Sequence, residues 1–194
     1  MSDKTEDRRV RADARRNLET LLQAAKEVFA ASGVDAPVRE IAEKAGVGVG
    51  TVYRHFPRRS DLVAAVFRRE IDACADAAPS LAADGEPGEA LARWLQRYVD
   101  FIATKRGLAA SLHSGDPAFE ALPAYFDGRL KPALRTLLDS ASAAGAIRSD
   151  VDPEDILYAV ASLCASSRNK GQEHVRRMVA LLVDGLRYGA GGAS

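Results

Sequence analysis

Apolar residues recur at every third or fourth position along most of this chain, and no useful stretch alternates between apolar and polar residues. Spacing of three and four places side chains on one face of a helix, whereas alternation is typical of a half-buried strand. A length of 194 residues is enough to bury a substantial core. The sequence therefore predicts an all-α fold of about nine helices, with a small front part and a larger rear part.

Changes in composition along the chain predict five segments. The main joint is expected near residues 77–88, where Pro, Gly and small residues are concentrated. The predicted segments are a flexible basic arm at 1–13, a small helical domain at 14–60, a connecting helix at 61–76, a larger helical domain at 77–188 and a flexible tail at 189–194.

The charge balance differs between the two parts of the chain. The net charge is zero, but residues 1–70 carry 14 Lys and Arg against 11 Asp and Glu. A zero total is therefore compatible with a nucleic-acid partner, because the local surface decides such binding. The sequence contains no apolar run of membrane-spanning length and its first residues are not signal-like, so we expect a cytoplasmic protein.

The two cysteines and three histidines lack the spacing of a metal site or a catalytic centre. Cys74 and Cys164 stand alone, without a CxxC pair, and are expected to be buried apolar residues in a reducing compartment. No Ser/His/Asp arrangement and no carboxylate pair in an apolar setting is evident. We therefore expect no metal, no cofactor and no enzyme activity.

Residues 46–50, GVGVG, look like a loop that cradles a phosphate. Such a loop follows a buried strand, whereas the preceding VREIAEKAG has helical spacing and no Gly-Lys-Ser/Thr follows. A nucleotide-dependent enzyme that uses this loop is therefore disfavoured, and it is kept as one alternative function. A second alternative is a helical ligand-binding protein in which this stretch is the vestige of a DNA-binding segment.

A helix-turn-helix explains the same residues better. Gly46 fits the position where the first short helix ends, and Ala42 and Ala45 let a second helix cross closely. Val47 and Val52 are expected to anchor the unit to the core. The residues left facing outward to various degrees are Val49, Gly50, Thr51, Tyr53, Arg54 and His55.

The run VREIAEKAGVGVGTVYRHFPRRSDLVAAVF resembles the DNA-binding signature of the tetracycline-repressor (TetR) family of bacterial regulators. The similarity covers about residues 14–70. Gly48 departs from the family pattern, which commonly has Ser there, and Pro37 replaces a frequent Ser or Thr. The matching features are Ile41-Ala42, Ala45-Gly46-Val47, Gly50-Thr51, Tyr53, Phe56, Arg59 and Leu62.

The resemblance implies a DNA-binding surface. Bases would be read by Val49, Gly50, Tyr53 and Arg39, since an arginine can bond two acceptors of guanine. Alternatively, Arg39 is a solvated charge or an ion-pair partner of Glu40 or Glu43, and Tyr53 is a core aromatic. The full predicted set is Arg39, Gly48, Val49, Gly50, Thr51, Tyr53, Arg54, His55 and Arg59, of which Thr51, Tyr53, His55 and Arg59 are placed like the family's phosphate-binding residues.

For the rear part, the resemblance implies a homodimer on a palindromic operator and a repressor released by a small-molecule effector. Ordinary hydrophobic core is the alternative for both of the following residue sets. The candidate pocket residues are Trp94, Tyr98, Phe101, His113, Tyr125 and Phe126. The candidate dimer-interface residues are Leu157, Val160, Cys164, Val175, Val179, Leu182 and Leu186.

Overall fold

The computed structural model describes residues 3–106, 115–166 and 171–188. Within these ranges the chain forms nine α-helices and a short 3-10 helix, and no strand is present, so the predicted all-α fold is confirmed. In chain order the helices are α1 (Asp3–Ser32), α2 (Val38–Ala45), α3 (Val49–His55), α4 (Arg59–Ala75), α5 (Ala77–Ala83), α6 (Pro87–Arg106), the 3-10 helix (Pro117–Phe119), α7 (Leu122–Ala143), α8 (Pro153–Ser166) and α9 (Gly171–Arg187).

The chain divides into two compact units, and the division differs from the one predicted. Among the described residues, the first unit contains those up to Arg69 and residues 115–120, and the second contains residues 70–106, 121–166 and 171–188. The division thus lies inside α4, not at residues 77–88. The stretch AAPSLAA forms α5 instead of a linker, because alanine has the highest helix propensity and proline is tolerated in a first turn.

The N-terminal segment also differs from its prediction. Helix α1 begins at Asp3, so most of the expected flexible arm at 1–13 is helical. The segment is rich in Arg, Lys, Glu and Ala, which favour helix formation. The lack of apolar periodicity in this segment predicts that it buries no apolar face, but it does not predict whether the backbone is helical. Residues 189–194, the predicted tail, lie outside the described residues.

In the first unit, the turn between α2 and α3 is formed as the glycine pattern predicts. Gly46 adopts a left-handed conformation with φ of 68°. Its N–H donates to the carbonyl of Glu43 at 3.1 Å, and the N–H of Val47 donates to the carbonyl of Ala42 at 2.9 Å. These bonds satisfy the last carbonyls of α2 and end the helix. The buried apolar side chains of this unit include Leu21, Ala25, Phe29, Ile41, Val52, Leu62 and Phe67.

The core of the second unit is built around α6. Trp94 is fully buried, and its indole N–H donates to the carbonyl of Cys74 at 2.9 Å. The hydroxyl of Tyr98 lies 3.5 Å from the carbonyl of Leu157, and burial raises the pKa of this tyrosine. Cys74 and Cys164 are free and buried, and burial raises the pKa of the Cys74 thiol to about 12. Their predicted role as buried apolar residues is confirmed.

Helix α7 contains two prolines, a residue that commonly ends or kinks a helix. Pro123 lies in its first turn, where the missing N–H has no cost, and the helix continues through Pro132. The segment from Leu122 to Ala143 is therefore one helix. No helix in the described ranges is long and apolar enough to cross a membrane.

Candidate nucleic-acid interface

Helix α3 begins without the side-chain cap that a serine would supply. Gly48 precedes the helix with φ of −71° and ψ of 145°, and no side chain bonds the first turn. The carbonyl of Gly48 accepts the N–H of Thr51 at 2.8 Å, and the helix ends where the N–H of Phe56 bonds to Val52. A φ of −71° is open to any residue, so the glycine here is not required by the backbone.

The two sides of α3 have opposite environments. Val52 is 1% exposed and anchors the helix to the core of the first unit. Because successive residues are turned by about 100°, Gly50 and Arg54 lie on the side almost opposite to Val52. Val49 and Tyr53 are 37% and 50% exposed beside them, and Thr51 is half-buried. Tyr53 therefore does not take the core position that was its alternative interpretation.

Gly50 leaves a shallow point at the centre of this outward side. A Cβ added at Gly50 or at Gly48 would have no heavy atom within 4 Å. The absence of a side chain at Gly50 is therefore not explained by packing within the chain. A glycine inside a helix costs about 1 kcal/mol relative to alanine. The glycine therefore lowers the stability of α3 without a gain in packing among the described residues.

Arg39 extends from the first turn of α2 and is exposed. The ion pair with Glu40 is not formed, and a carboxylate oxygen of Glu40 instead accepts the hydroxyl of Ser32 at 3.1 Å. Lys44, on the same helix, pairs with Glu27 at 2.9 Å, and this contact holds the pKa of Glu27 below its usual range. Among the described residues, Arg39 and Arg54 have no such partner. They are the cations of this surface that remain available to an anion.

Arg59 has a role within the chain that the sequence did not predict. It is the first residue of α4, and its guanidinium donates to the backbone carbonyls of Val34 and Ala36, the latter at 2.7 Å. These carbonyls lie in the loop between α1 and α2. Arg59 therefore fastens this loop to the start of α4, which makes it a positioning residue for α2.

The turn between α3 and α4 is held by its own charge pair. Arg58 donates from its backbone N–H at 3.1 Å and from its guanidinium at 2.7 Å to the carboxylate of Asp61. The arginine holds the pKa of Asp61 below its usual range. His55 lies at the end of α3, exposed, with its ring centroid 6.3 Å from that of Phe56.

The candidate pocket aromatics of the second unit form a packed cluster. Trp94 and Tyr98 stack with ring centroids 5.8 Å apart, and Tyr98 and Phe101 stack at 6.0 Å. Phe126 is half-buried at 6.3 Å from Tyr98, and the Tyr125 hydroxyl donates to Asp72 at 2.8 Å. His113 lies outside the described residues. Trp94, Tyr98 and Phe101 are thus core residues, as their alternative interpretation has it.

The side chains of the candidate dimer-interface residues face the core of the second unit. Leu182 is half-buried, and the other six are buried because their stripes on α8 and α9 pack inside the second unit. This corrects their assignment to a partner-facing surface. Among the described residues, the large apolar side chains exposed on the last two helices and just after them are Tyr158, Leu181 and Tyr188. The buried six are Leu157, Val160, Cys164, Val175, Val179 and Leu186.

A short helix anchored by Val52 and exposing Val49, Gly50, Tyr53 and Arg54 after a glycine turn is the arrangement of a helix-turn-helix DNA-binding protein. Residues 21–66 match the family model of bacterial regulatory proteins of the tetR family, and residues 86–188 match that of the SbtR-like transcriptional regulator C-terminal domain. The chain belongs to the tetR family of bacterial transcriptional regulators.

Solved structures and curated relatives agree with this assignment. A TetR transcriptional regulator from Streptomyces coelicolor is 37% identical, covers 87% of this chain and 97% of its own, and superposes with a TM-score of 0.75. A TetR regulatory protein from Mycobacterium vanbaalenii is also 37% identical, covering 92% of this chain and 99% of its own, with a TM-score of 0.70. A helix-turn-helix regulator from Staphylococcus aureus is 38% identical over 64 residues, 32% of this chain and 35% of that protein. The chain thus matches about a third of the length of such curated relatives.

Proposed function

We propose that this protein is a cytoplasmic, homodimeric repressor that binds a palindromic operator and is released by a small-molecule effector. It acts by binding and not by catalysis. The observation that carries the proposal is the outward side of α3, where Gly50 and Arg54 are exposed almost opposite the buried anchor Val52 and where Val49 and Tyr53 are also exposed.

Base reading falls to the side chains that have no partner in the described part of the chain. Arg39 presents an exposed guanidinium, which can bond both O6 and N7 of one guanine. Val49 and Tyr53 supply apolar contact, and Gly50 lets the backbone of α3 approach the floor of the major groove. These four residues determine the preferred operator sequence.

Phosphate contacts fix the position of the protein without reading sequence. Thr51, Tyr53, Arg54 and His55 supply hydroxyl, guanidinium and imidazole donors along α3, and Gly48 exposes backbone at its start. Arg59 contributes differently, because its guanidinium already serves two carbonyls of the loop before α2. It presents α2, and with it Arg39, to the DNA.

Dimerisation uses the exposed sides of α8 and α9. The buried stripes of these helices are occupied by the core, whereas Tyr158, Leu181 and Tyr188 are 75%, 62% and 88% exposed. Large apolar side chains at such exposure favour a protein interface. Two copies then place two recognition helices on half-sites about one DNA turn apart.

An effector bound in the second unit changes the separation of the two recognition helices. Since the effector and the DNA act on one conformational equilibrium, each weakens the binding of the other by the same factor.

The test of DNA binding uses purified protein and the DNA flanking its own gene, followed by selection of preferred sites. We expect a palindromic site whose affinity falls with salt, with a log–log slope of about −0.9 per phosphate contact. Binding that ignores salt, or no binding to any duplex, contradicts the proposal.

The dimer is tested separately by sedimentation. Leu181→Glu places a charge on the exposed side of α9 and is expected to give a folded monomer with lower operator affinity. The matched control is Arg135→Glu, which introduces the same residue at an exposed position of α7, away from the proposed surface. A dimer that resists Leu181→Glu excludes this surface.

A further inference from the structure

The second unit has an open cleft that lies apart from its aromatic cluster. The cleft has a volume of about 430 Å³ and is formed by the end of α4, by α5 and by the middle of α6. That size lies within the usual range for small-molecule sites. Its apolar wall is supplied by Ala73, Ala77 and Leu81.

The other wall carries two arginines, Arg93 and Arg97, four residues apart on α6. Residues at this spacing lie on the same face of a helix, so both side chains leave α6 on the side that lines the cleft. Arg97 is held in place because its Nε–H donates to the carbonyl of Ala73 at 3.1 Å. Arg93 forms no hydrogen bond or ion pair with another of the described residues.

The chain leaves space for the end of Arg93. A Cβ added at Gly85 would lie 2.7 Å from Nη2 of Arg93, so a side chain at that position would displace the guanidinium from its place beside the turn. Gly85 lies in the turn between α5 and α6. The unpaired guanidinium is thus set against the backbone of this turn at the edge of the cleft.

The carboxylate that lines the cleft is already neutralised. The carboxylate of Asp76 accepts a hydrogen bond from Nη2 of Arg129 at 2.6 Å, and Nε of Arg129 donates to Asp72 at 2.8 Å. These hydrogen bonds, that to Asp72 first, raise the pKa of Arg129. With Asp76 paired, the two arginines of α6 leave the cleft with a positive charge next to an apolar wall.

We propose that this cleft binds a small molecule consisting of a carboxylate and a short apolar tail. The carboxylate bonds to Arg93 and Arg97, and the tail lies against Ala73, Ala77 and Leu81. Guanidinium and carboxylate form short, charge-assisted hydrogen bonds, which gives such a ligand its orientation. The regulatory consequence rests on the effector-released repressor proposed above, whereas the binding itself does not.

Calorimetric titration of the full chain, without DNA, tests the binding with three probes. Octanoate has both the charge and the tail, 1-octanol has the tail alone, and acetate has the charge alone. We expect saturable binding of octanoate, at least tenfold tighter than that of either other probe. Equal binding of octanoate and 1-octanol, or no saturable octanoate binding at millimolar concentrations, overturns the proposal.

Two variants locate the site. Arg93→Gln is expected to weaken octanoate binding about tenfold or more while leaving 1-octanol unchanged, and Leu81→Ser is expected to weaken both. Arg135→Gln, an exposed arginine of α7 that does not line the cleft, is the control. Unchanged octanoate affinity in Arg93→Gln assigns the binding to another place and overturns the proposal, and thermal melting of each variant confirms folding.

Operator binding in the presence of octanoate separates the two proposals. Octanoate that binds through Arg93 but leaves operator affinity unchanged supports the cleft and removes its regulatory role. Failure to bind any operator contradicts the repressor and leaves the calorimetric result intact.

Discussion

Helices α3 and α6 both carry aromatic side chains that the sequence marks as functional, and the structure treats them in opposite ways. On α6, Trp94 and Tyr98 are 0% and 2% exposed, and the Trp94 indole N–H has a partner within the chain. On α3, Tyr53 is 50% exposed beside a glycine with open space around it. The difference distinguishes side chains that stabilise the fold by burial from side chains that are accessible to another molecule. Substitutions on the two helices should therefore affect different measurements.

The largest expected effect is on the core of the second unit. Trp94→Ala removes a fully buried ring and leaves the Cys74 carbonyl unpaired, so the free energy of unfolding should fall by about 3–5 kcal/mol in urea denaturation. Trp94→Phe keeps most of the ring and should cost less. Tyr53→Ala, the matched change on α3, should alter stability by less than about 0.5 kcal/mol. Equal destabilisation by Trp94→Ala and Tyr53→Ala would remove the distinction between the two helices.

Arg39→Ala should change sequence preference and not stability. Losing a bidentate contact to guanine costs about 1–3 kcal/mol of discrimination at one base pair. Competition between the selected operator and variants at each position measures this loss. The control is Arg135→Ala, an exposed arginine of the second unit, and an unchanged preference would exclude Arg39 from base reading.

Arg59→Ala should affect both measurements together. It leaves the carbonyls of Val34 and Ala36 without their charged donor, which should lower the free energy of unfolding by about 1–2 kcal/mol after allowance for its partial exposure. Because α2 loses its fixed position, binding should weaken for all sequences alike. Arg59→Lys should restore only part of the stability, because a single ammonium group replaces the two guanidinium nitrogens that bond the two carbonyls. If stability is unaffected while DNA binding falls, Arg59 acts directly on phosphate instead.

Gly50→Ala should move the two measurements in opposite directions. A Cβ there meets nothing in the chain, so the helix should gain about 1 kcal/mol in stability. The same methyl group occupies the space that α3 leaves for DNA, and operator affinity should fall. Thermal melting and fluorescence anisotropy on the same sample check both signs, and a gain in both would show that Gly50 does not face DNA.

The smallest effect is expected at the start of α3. Gly48→Ser supplies the missing cap, and serine exceeds glycine at such positions by only a few tenths of a kcal/mol. Its hydroxyl is also a possible phosphate donor, so affinity should rise slightly. Gly48→Ala, which cannot cap, should instead lower stability, and the pair of melting temperatures measures the capping term.

Local chemistry made most of the first unit predictable. Gly46 ends α2 because a left-handed residue is needed there, and the spacing of Ile41, Val52 and Leu62 identifies the buried sides of three short helices. The joint expected near residues 77–88 contains helix α5, and most of the arm expected at 1–13 is helical, because absent periodicity and a proline were interpreted as absent helix. Packing and propensity are different signals, and only the first requires apolar spacing.

What the sequence could not show is which neighbour covers a given side chain. The stripes containing Val160 and Val179 have the same spacing whether they face their own core or a second copy, and the structure places them in the core. From the sequence alone, Arg59 is predicted to bind phosphate. In the structure its guanidinium bonds the carbonyls of Val34 and Ala36, which lie 25 and 23 residues earlier in the chain. The sequence likewise does not show that Arg93 has no hydrogen-bond or ion-pair partner among the described residues, because acidic residues such as Glu89 stand near it in the chain.

The open space at Gly48 and Gly50 also bears on how such a regulator diverges after gene duplication. Both positions accept a side chain without strain or collision within the protein. A single codon change at either one adds a new group to the surface that we propose contacts the operator, without a collision within the described part of the chain. Duplicated copies that differ only at these two positions would therefore share one fold and present different chemical groups on α3.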